Sequence, residues 1–294
     1  MSGRSAHALA GYAFVSAISL LAPALAEAQN QPAAPEMPVY LRDRGTGMPT
    51  SMFGTYIRKR ELLVYPFFEY YRNHDEEYEP ADFGYGVAEE FRGRSRASEG
   101  LLFIAYGLTD WLAVEVEAAV STAEFDKSPN DSSPMPARIE ESGLGDVEGQ
   151  LRARLLQEDD GRPEVFSYFE IVTPNRDKVL IGTPGWEYKF GGGVIKGSRI
   201  GTFTVRMAAE YSEAESVVEP GEYAVEYLKR LSPRWRLYLG VEGTQDEVEF
   251  ISEAQWHLSD RIFLKFNNAV GLTSKAADWA PEVGVMFSFP TRRP

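Results

Sequence analysis

The chain has no cysteine and only three histidines, His7, His74 and His257. Without cysteine there is no disulfide, so an exported form must be held by burial and backbone hydrogen bonds alone. Cysteine nucleophiles and cysteine metal sites are excluded, and three scattered histidines supply no pair at ligand spacing. Long apolar runs are missing too. After residue 28 no stretch approaches eighteen uninterrupted apolar residues, so that part of the chain holds no helical membrane span. Positive charge is scarce: 30 Lys and Arg face 44 Asp and Glu, a net charge of −14, which is a poor match for nucleic acid.

What is present starts with one apolar run, GYAFVSAISLLAPALA (11–26), behind Arg4 and ending in the small-x-small patterns Ala24-Leu25-Ala26 and Ala26-Glu27-Ala28. This is the pattern of a cleaved secretory signal peptide, taken as 1–28. Cleavage removes Arg4 and Glu27 together and leaves the net charge unchanged. Residues 29–59, beginning with the Pro-rich QNQPAAPEMP, read as a periplasmic N-terminal leader.

From 60 to 289 the sequence alternates. In GDVEGQLRARLL (145–156), Asp146, Glu148, Gln150, Arg152 and Arg154 fall on one side of a strand and Val147, Leu151, Ala153 and Leu155 on the other. Twelve such stretches occur, at about 60–73, 88–107, 111–123, 141–157, 163–174, 185–196, 199–212, 221–232, 235–245, 247–258, 261–273 and 280–289. Most are longer than an ordinary soluble strand of about five or six residues and suit a tilted membrane crossing. Pro66 weakens the first, and Glu170 sharing a face with Phe166 and Tyr168 weakens the fifth, so the count carries an uncertainty of two.

The connections alternate short and long. Bacterial outer-membrane barrels have tight periplasmic turns and longer outer loops, and an even strand count leaves both termini in the periplasm. Three of the tight turns share a plan: Leu108-Thr109-Asp110-Trp111, Leu231-Ser232-Pro233-Arg234-Trp235 and Leu258-Ser259-Asp260-Arg261-Ile262. Aromatics on the apolar face gather at strand ends, with Trp111, Trp235, Trp256, Phe287 and Phe289 toward the turns and Trp186, Tyr211 and Tyr223 toward the loops, as in two interfacial girdles. The expected fold is all-β, a transmembrane up-and-down antiparallel β-barrel of about twelve strands over 60–289, followed by a short tail, 290–294. Its last strand ends in VMFSF, with PTRRP displacing the aromatic end from the C-terminus.

YGLTDWLAVEVEAAV (106–120), with the later Leu-Ser-x-Arg turns, resembles the transporter-like outer-membrane barrels grouped under the meta-pathway of phenol degradation. The resemblance spans most of 60–289. It implies passive transport of small organic molecules, aromatic ones among the candidates, and it supplies no binding residues.

Chemistry elsewhere is thin. His257 has Ser259 and Asp260 nearby, but in a turn; there is no Gly-x-Ser-x-Gly and no Asn-His motif. NHDEEYEP (73–80) reads as a solvated outer loop, and GGGV (191–194) as a bend in the wall rather than a phosphate loop. No enzyme activity, cofactor or metal is expected. The candidate functional residues are the charges assigned to the lumen: the ladder Arg92, Arg94 and Arg96; the cations Arg152, Arg154, Arg206, Arg236 and Lys265; and the anions Glu115, Glu117, Asp146, Glu148, Glu210, Glu242, Glu249 and Glu253. The expected partners are the outer-membrane bilayer, the barrel assembly machinery and a small-molecule solute, with no nucleic acid. The alternatives are a non-conducting structural or adhesive barrel and a soluble periplasmic lipocalin-like barrel.

Overall fold

The computed structural model describes residues 37–245 and 247–291; the expected signal peptide and the last three residues lie outside the described residues. A short hairpin comes first, β1 (Met48–Pro49) paired with β2 (Tyr56–Ile57). Twelve antiparallel strands follow and close into one barrel: β3 (Glu61–Tyr78), β4 (Phe91–Gly107), β5 (Leu112–Asp126), β6 (Arg138–Leu156), β7 (Glu164–Thr173), β8 (Glu187–Gly197), β9 (Thr202–Ser212), β10 (Val217–Arg230), β11 (Trp235–Thr244), β12 (Glu247–His257), β13 (Ile262–Gly271) and β14 (Ala280–Pro290). Each strand pairs with its sequence neighbours, and β14 returns to β3, so no edge is left open.

The two doubtful stretches are both strands. Pro66 sits mid-strand opposite Leu102 of β4. Its missing N–H falls on the other side: the β14 ladder skips from Phe67 opposite Gly284 to Val64 opposite Phe287. In β7, Glu164, Phe166, Tyr168 and Glu170 all point inward, so the mixed face is the lumen face.

Period-two alternation sorts the side chains onto two surfaces. Every strand contributes a large apolar residue to the outside: Phe68, Leu102, Val116, Leu151, Phe169 and Phe190 on β3–β8, then Val205, Val225, Val241, Phe250, Phe266 and Val283 on β9–β14, all exposed. Pairing register joins them into a belt, with Val194 opposite Val205, Val205 opposite Val225, Val225 opposite Val241, Val241 opposite Phe250 and Phe250 opposite Val270. An apolar surface circling the molecule far exceeds what a soluble monomer exposes, and hydrocarbon is the medium that covers it. The belt has aromatic rims. Trp235 stacks on Trp256 at 5.7 Å on the turn side, and Trp186, Tyr188 and Tyr211 stack in sequence on the loop side.

The three similar turns close by one hydrogen-bond scheme. The N–H groups of Leu108 and Thr109 donate to Leu112 O, those of Leu231 and Ser232 to Trp235 O, and those of Leu258 and Ser259 to Ile262 O. In each, the hydroxyl accepts from the N–H two residues on, Thr109 from Trp111, Ser232 from Arg234 and Ser259 from Arg261. Strands β3 to β6, of 18, 17, 15 and 19 residues, exceed a membrane crossing and project past the outer rim. Residues 73–78 of the expected acidic loop are therefore strand, not loop.

Candidate functional site

An eight-stranded barrel is just filled by its own side chains, so twelve strands leave space along the axis. Here the chain ahead of the barrel takes up the turn-side half of that space. The sequence reads residues 29–59 as a periplasmic leader and leaves open whether they plug the pore; the described part, from residue 37, enters the lumen, and 41–57 touch inward-facing side chains around the wall. Met48 and Ile57 pack with Tyr65, Phe67 and Phe103 of β3 and β4. Phe53 stacks on Tyr238 of β11 at 5.2 Å. Gly54 has φ +58°, and a Cβ there would lie 2.8 Å from Gln255 Nε2, so glycine lets the plug turn against β12 without displacing that side chain.

Polar contacts fix the plug. Ser51 donates to Glu115 Oε2 from both its N–H (2.9 Å) and its hydroxyl (2.6 Å). Arg44 Nη2 lies 2.9 Å from Glu164 and 3.0 Å from Glu158, with all three side chains at most 1 % exposed. Burial alone would pull the Arg44 guanidinium down; Glu164, Tyr56 and Glu158 outweigh it and hold its pKa above the ordinary value. Arg154 pairs with Glu164 at 3.1 Å and also donates to Gly47 O of the plug.

On the loop side of the plug lies a chamber of about 510 Å³. Its floor is Ser51, Met52 and Phe53, and Leu180 to Thr183 of the β7–β8 loop line another side, held by Thr183 N donating to Asp146 Oδ1 at 3.0 Å. Eight carboxylates line it, Glu69, Glu99, Glu117 and Asp146 with Glu148, Glu242, Glu249 and Glu282, and no Lys, Arg or His does. Of the eight only Glu242 has an ion pair among the described residues, with Arg206 at 2.5 Å. Apolar surface from Phe53, Phe67, Leu101 and Ile251 alternates with the acids. A second space, about 160 Å³, adjoins it and is walled by both signs, including Arg152, Glu170, Arg206 and Glu222. A third, of about 20 Å³, lies among plug residues 49–56. The outer mouth beside β8–β10 holds a further recess with Glu187, Glu210, Glu215 and Glu219.

Thirteen of the sixteen sequence candidates face inward, on the strand parity that carries the buried side chains: Glu115, Glu117, Asp146, Glu148, Arg152, Arg154, Arg206, Glu210, Arg236, Glu242, Glu249, Glu253 and Lys265. Arg206 gathers Glu222, Glu226 (3.0 Å) and Glu242 into one cluster, and Lys265 pairs with Glu253 at 3.0 Å beneath Tyr65. The remaining three are corrected. Arg92, Arg94 and Arg96 are exposed on the outside of β4, sharing parity with Leu102 and Ile104. They sit above the belt, where Arg96 pairs with the outward Glu124 and Arg92 with Glu77. A polar face means lumen only inside the bilayer; beyond its rim both faces of a strand meet water.

Sequence reasoning missed Glu69, Glu99, Glu282 and Asn267 of the chamber and Arg44 and Ser51 of the plug. Glu69 follows Tyr65 and Phe67 on one face, so no run of polar residues marks its side as lumen. The Gly run pairs without a register shift on both sides of β8. Gly191 and Gly193 lie on the lumen face, where a Cβ would meet the Tyr168 ring at 2.3 Å and the Phe166 ring at 2.6 Å; the glycines let those rings lie flat on the wall. Arg152 in turn sits over both rings, 4.9 Å from Tyr168 and 5.4 Å from Phe166. His257 stacks on Phe263 at 4.7 Å.

No protein-family model matches the chain, and no curated protein matches it by sequence. Solved structures do match. An outer membrane channel from Pseudomonas putida F1 aligns with 82 % of this chain and 99 % of its own at a TM-score of 0.60 and 15 % identity. The translocator domain of the autotransporter NalP from Neisseria meningitidis covers 97 % of this chain and 98 % of its own at a TM-score of 0.48 and 12 % identity. At 15 % identity the likeness to the Pseudomonas channel is one of fold, and with the lipid-facing belt it makes this a barrel of the bacterial outer membrane.

Proposed function

We propose that the chain is a passive outer-membrane channel for small organic molecules, aromatic ones among them, and not an enzyme. The observation that carries this reading is the chamber of about 510 Å³ inside a closed barrel, within the size range of sites that hold small organic ligands. Solute would enter past the acidic recess, rest in the chamber, and leave past a plug that limits the flux. On this reading the chain belongs with the transporter-like barrels its hairpins resemble, and the barrel assembly machinery inserts it. An adhesive role is less well supported: Phe83 of the β3–β4 loop turns onto Phe125 of β5 at 5.0 Å, and Phe125 onto Tyr78 of β3 at 4.8 Å, so these rings are not presented to a partner.

Liposome flux tests the reading. Proteoliposomes are expected to swell in single-ring solutes and small sugars at rates well above empty vesicles. Swelling no faster than protein-free vesicles with every solute would overturn it.

A further inference from the structure

We infer that the outer surface of β3–β6, just above the apolar belt, docks the phosphorylated head of an outer-leaflet glycolipid. The strand register places the site. Outward residues of these four strands form rows across the wall. Phe68, Gly100, Val120 and Leu144 make an apolar row, and its three side chains are exposed. The next row up carries hydroxyls: Tyr70, Ser98, Thr122 and Ser142. The row above is charged: Arg72, Arg96, Glu124 and Glu140. Arg94, Asp126 and Arg138 stand one row higher. On a tilted strand the first charged row lies roughly 10 Å above the apolar one, which is head-group height. Tyr70 and Trp279, packed edge-on at 6.2 Å, mark the interface just below it.

The charged rows wall an outer recess of about 610 Å³, where four arginines, Arg72, Arg94, Arg96 and Arg138, meet two carboxylates, Glu124 and Asp126. Glu124 is shared by Arg96 and Arg138, and Asp126 pairs with Arg138 at 3.7 Å. Glu140 also pairs with Arg138, and Asp278 is taken by His74 at 2.8 Å. Arg72 and Arg94 have no ion pair among the described residues. Arg72 moreover stands directly opposite Arg96. Like charges facing each other across a strand pair are destabilising, and an anion set between them removes the repulsion. This excess of positive charge occurs in a chain whose net charge is −14.

The chemistry of the recess selects the occupant. All four of its permanent cations are guanidinium groups, whose forks bind phosphate oxygens two at a time. The recess is larger than a phosphate needs, and the hydroxyl row beneath it suits sugar hydroxyls. Below that row the exposed Phe68, Val120 and Leu144 meet acyl chains. A molecule with phosphate, sugar and acyl chains in that order is held at all three levels, which free phosphate is not. The length of β3 to β6 then has a purpose, since strands ending at the belt could not carry these arginines to the head groups.

The test is native mass spectrometry of the intact protein titrated with lipid A in a non-ionic detergent. Diphosphorylated lipid A is expected to stay bound where lipid A stripped of both phosphates does not. Arg72→Gln, Arg94→Gln and Arg96→Gln together should weaken binding by about tenfold or more. Arg162→Gln, Arg234→Gln and Arg261→Gln together remove as much charge from exposed turn-side positions and should leave it unchanged. Cold-sodium-dodecyl-sulfate mobility checks the fold. Should the triple variant misassemble, Arg94→Gln alone, at an exposed side chain without an ion pair, should weaken binding by about threefold or more. Equal binding of stripped and intact lipid, or undiminished binding by the folded Arg variants, overturns the site. Inorganic phosphate displacing lipid A at equal concentration would make it a free-anion site and overturns the lipid assignment.

Discussion

Deleting residues 37–57 is expected to raise single-channel conductance by about fivefold or more, because a twelve-stranded wall cannot fill its own bore. The plug holds the smallest of the three lumen spaces described above, the one of about 20 Å³ among residues 49–56. Removing it joins that space to the 160 Å³ and 510 Å³ spaces on its loop side. The barrel should persist, since its twelve-strand ladder closes without the plug hairpin, which pairs only with itself. Cold-sodium-dodecyl-sulfate mobility checks that the barrel is intact, and bilayer recording reads the conductance. An intact barrel with unchanged conductance would place the constriction elsewhere.

The second large effect should come from one side chain. Arg44→Met leaves Glu158 and Glu164 facing each other without their shared guanidinium, in a place where all three side chains are at most 1 % exposed. Breaking a buried pair from one side costs about 3–5 kcal/mol, chiefly from the charge left uncompensated. Lys196 still reaches Glu158 at 3.3 Å and Arg154 still reaches Glu164 at 3.1 Å, so the loss should fall on plug docking and not on the wall. The expected result is a plug that leaves the lumen: noisy openings toward the deletion's conductance, and rapid tryptic cleavage at Arg58 to Arg60. Adding Glu158→Gln should recover part of the docking, because among the described residues the only other cation on Glu158 is the half-exposed Lys196, whereas Glu164 keeps the buried Arg154. Arg44→Met with normal conductance and protection would show that apolar contacts such as Phe53 on Tyr238 hold the plug unaided.

The wall was legible in the sequence because its physics is periodic. A strand in a bilayer must alternate, so GDVEGQLRARLL declares its two faces, and the tight turns declare themselves by a hydroxyl that caps the chain two residues on. Fold class, strand number and thirteen lumen positions follow from that. The Arg92–Arg96 ladder shows where parity needs a second fact. Those arginines stand at even positions like Leu102, Ile104 and Tyr106, so carrying parity down the whole of β4 would have put them outside. What parity could not supply was the height of the bilayer's edge, and β4 runs past it. The plug left no such trace. Residues 41–57 are held by scattered contacts to at least eight different strands, among them Ser51 to Glu115 and Gln255 to Phe53 O, and such contacts impose no repeat on the sequence. The chamber's acids were visible one at a time, but their convergence depends on register across strands distant in the chain, as with Glu69 opposite Glu282.

The chain's lack of cysteine makes the orientation of the wall directly measurable. Val116 and Glu117 are adjacent on β5, the first on the belt and the second in the chamber. Each is replaced in turn by cysteine, the protein is reconstituted in liposomes, and a membrane-impermeant cationic methanethiosulfonate is added. Glu117→Cys should react and Val116→Cys should stay unmodified until detergent strips the lipid. Val116→Cys reacting in intact vesicles while Glu117→Cys does not would mean the Val/Leu/Phe side faces water, and neither barrel, plug nor chamber could then stand as described.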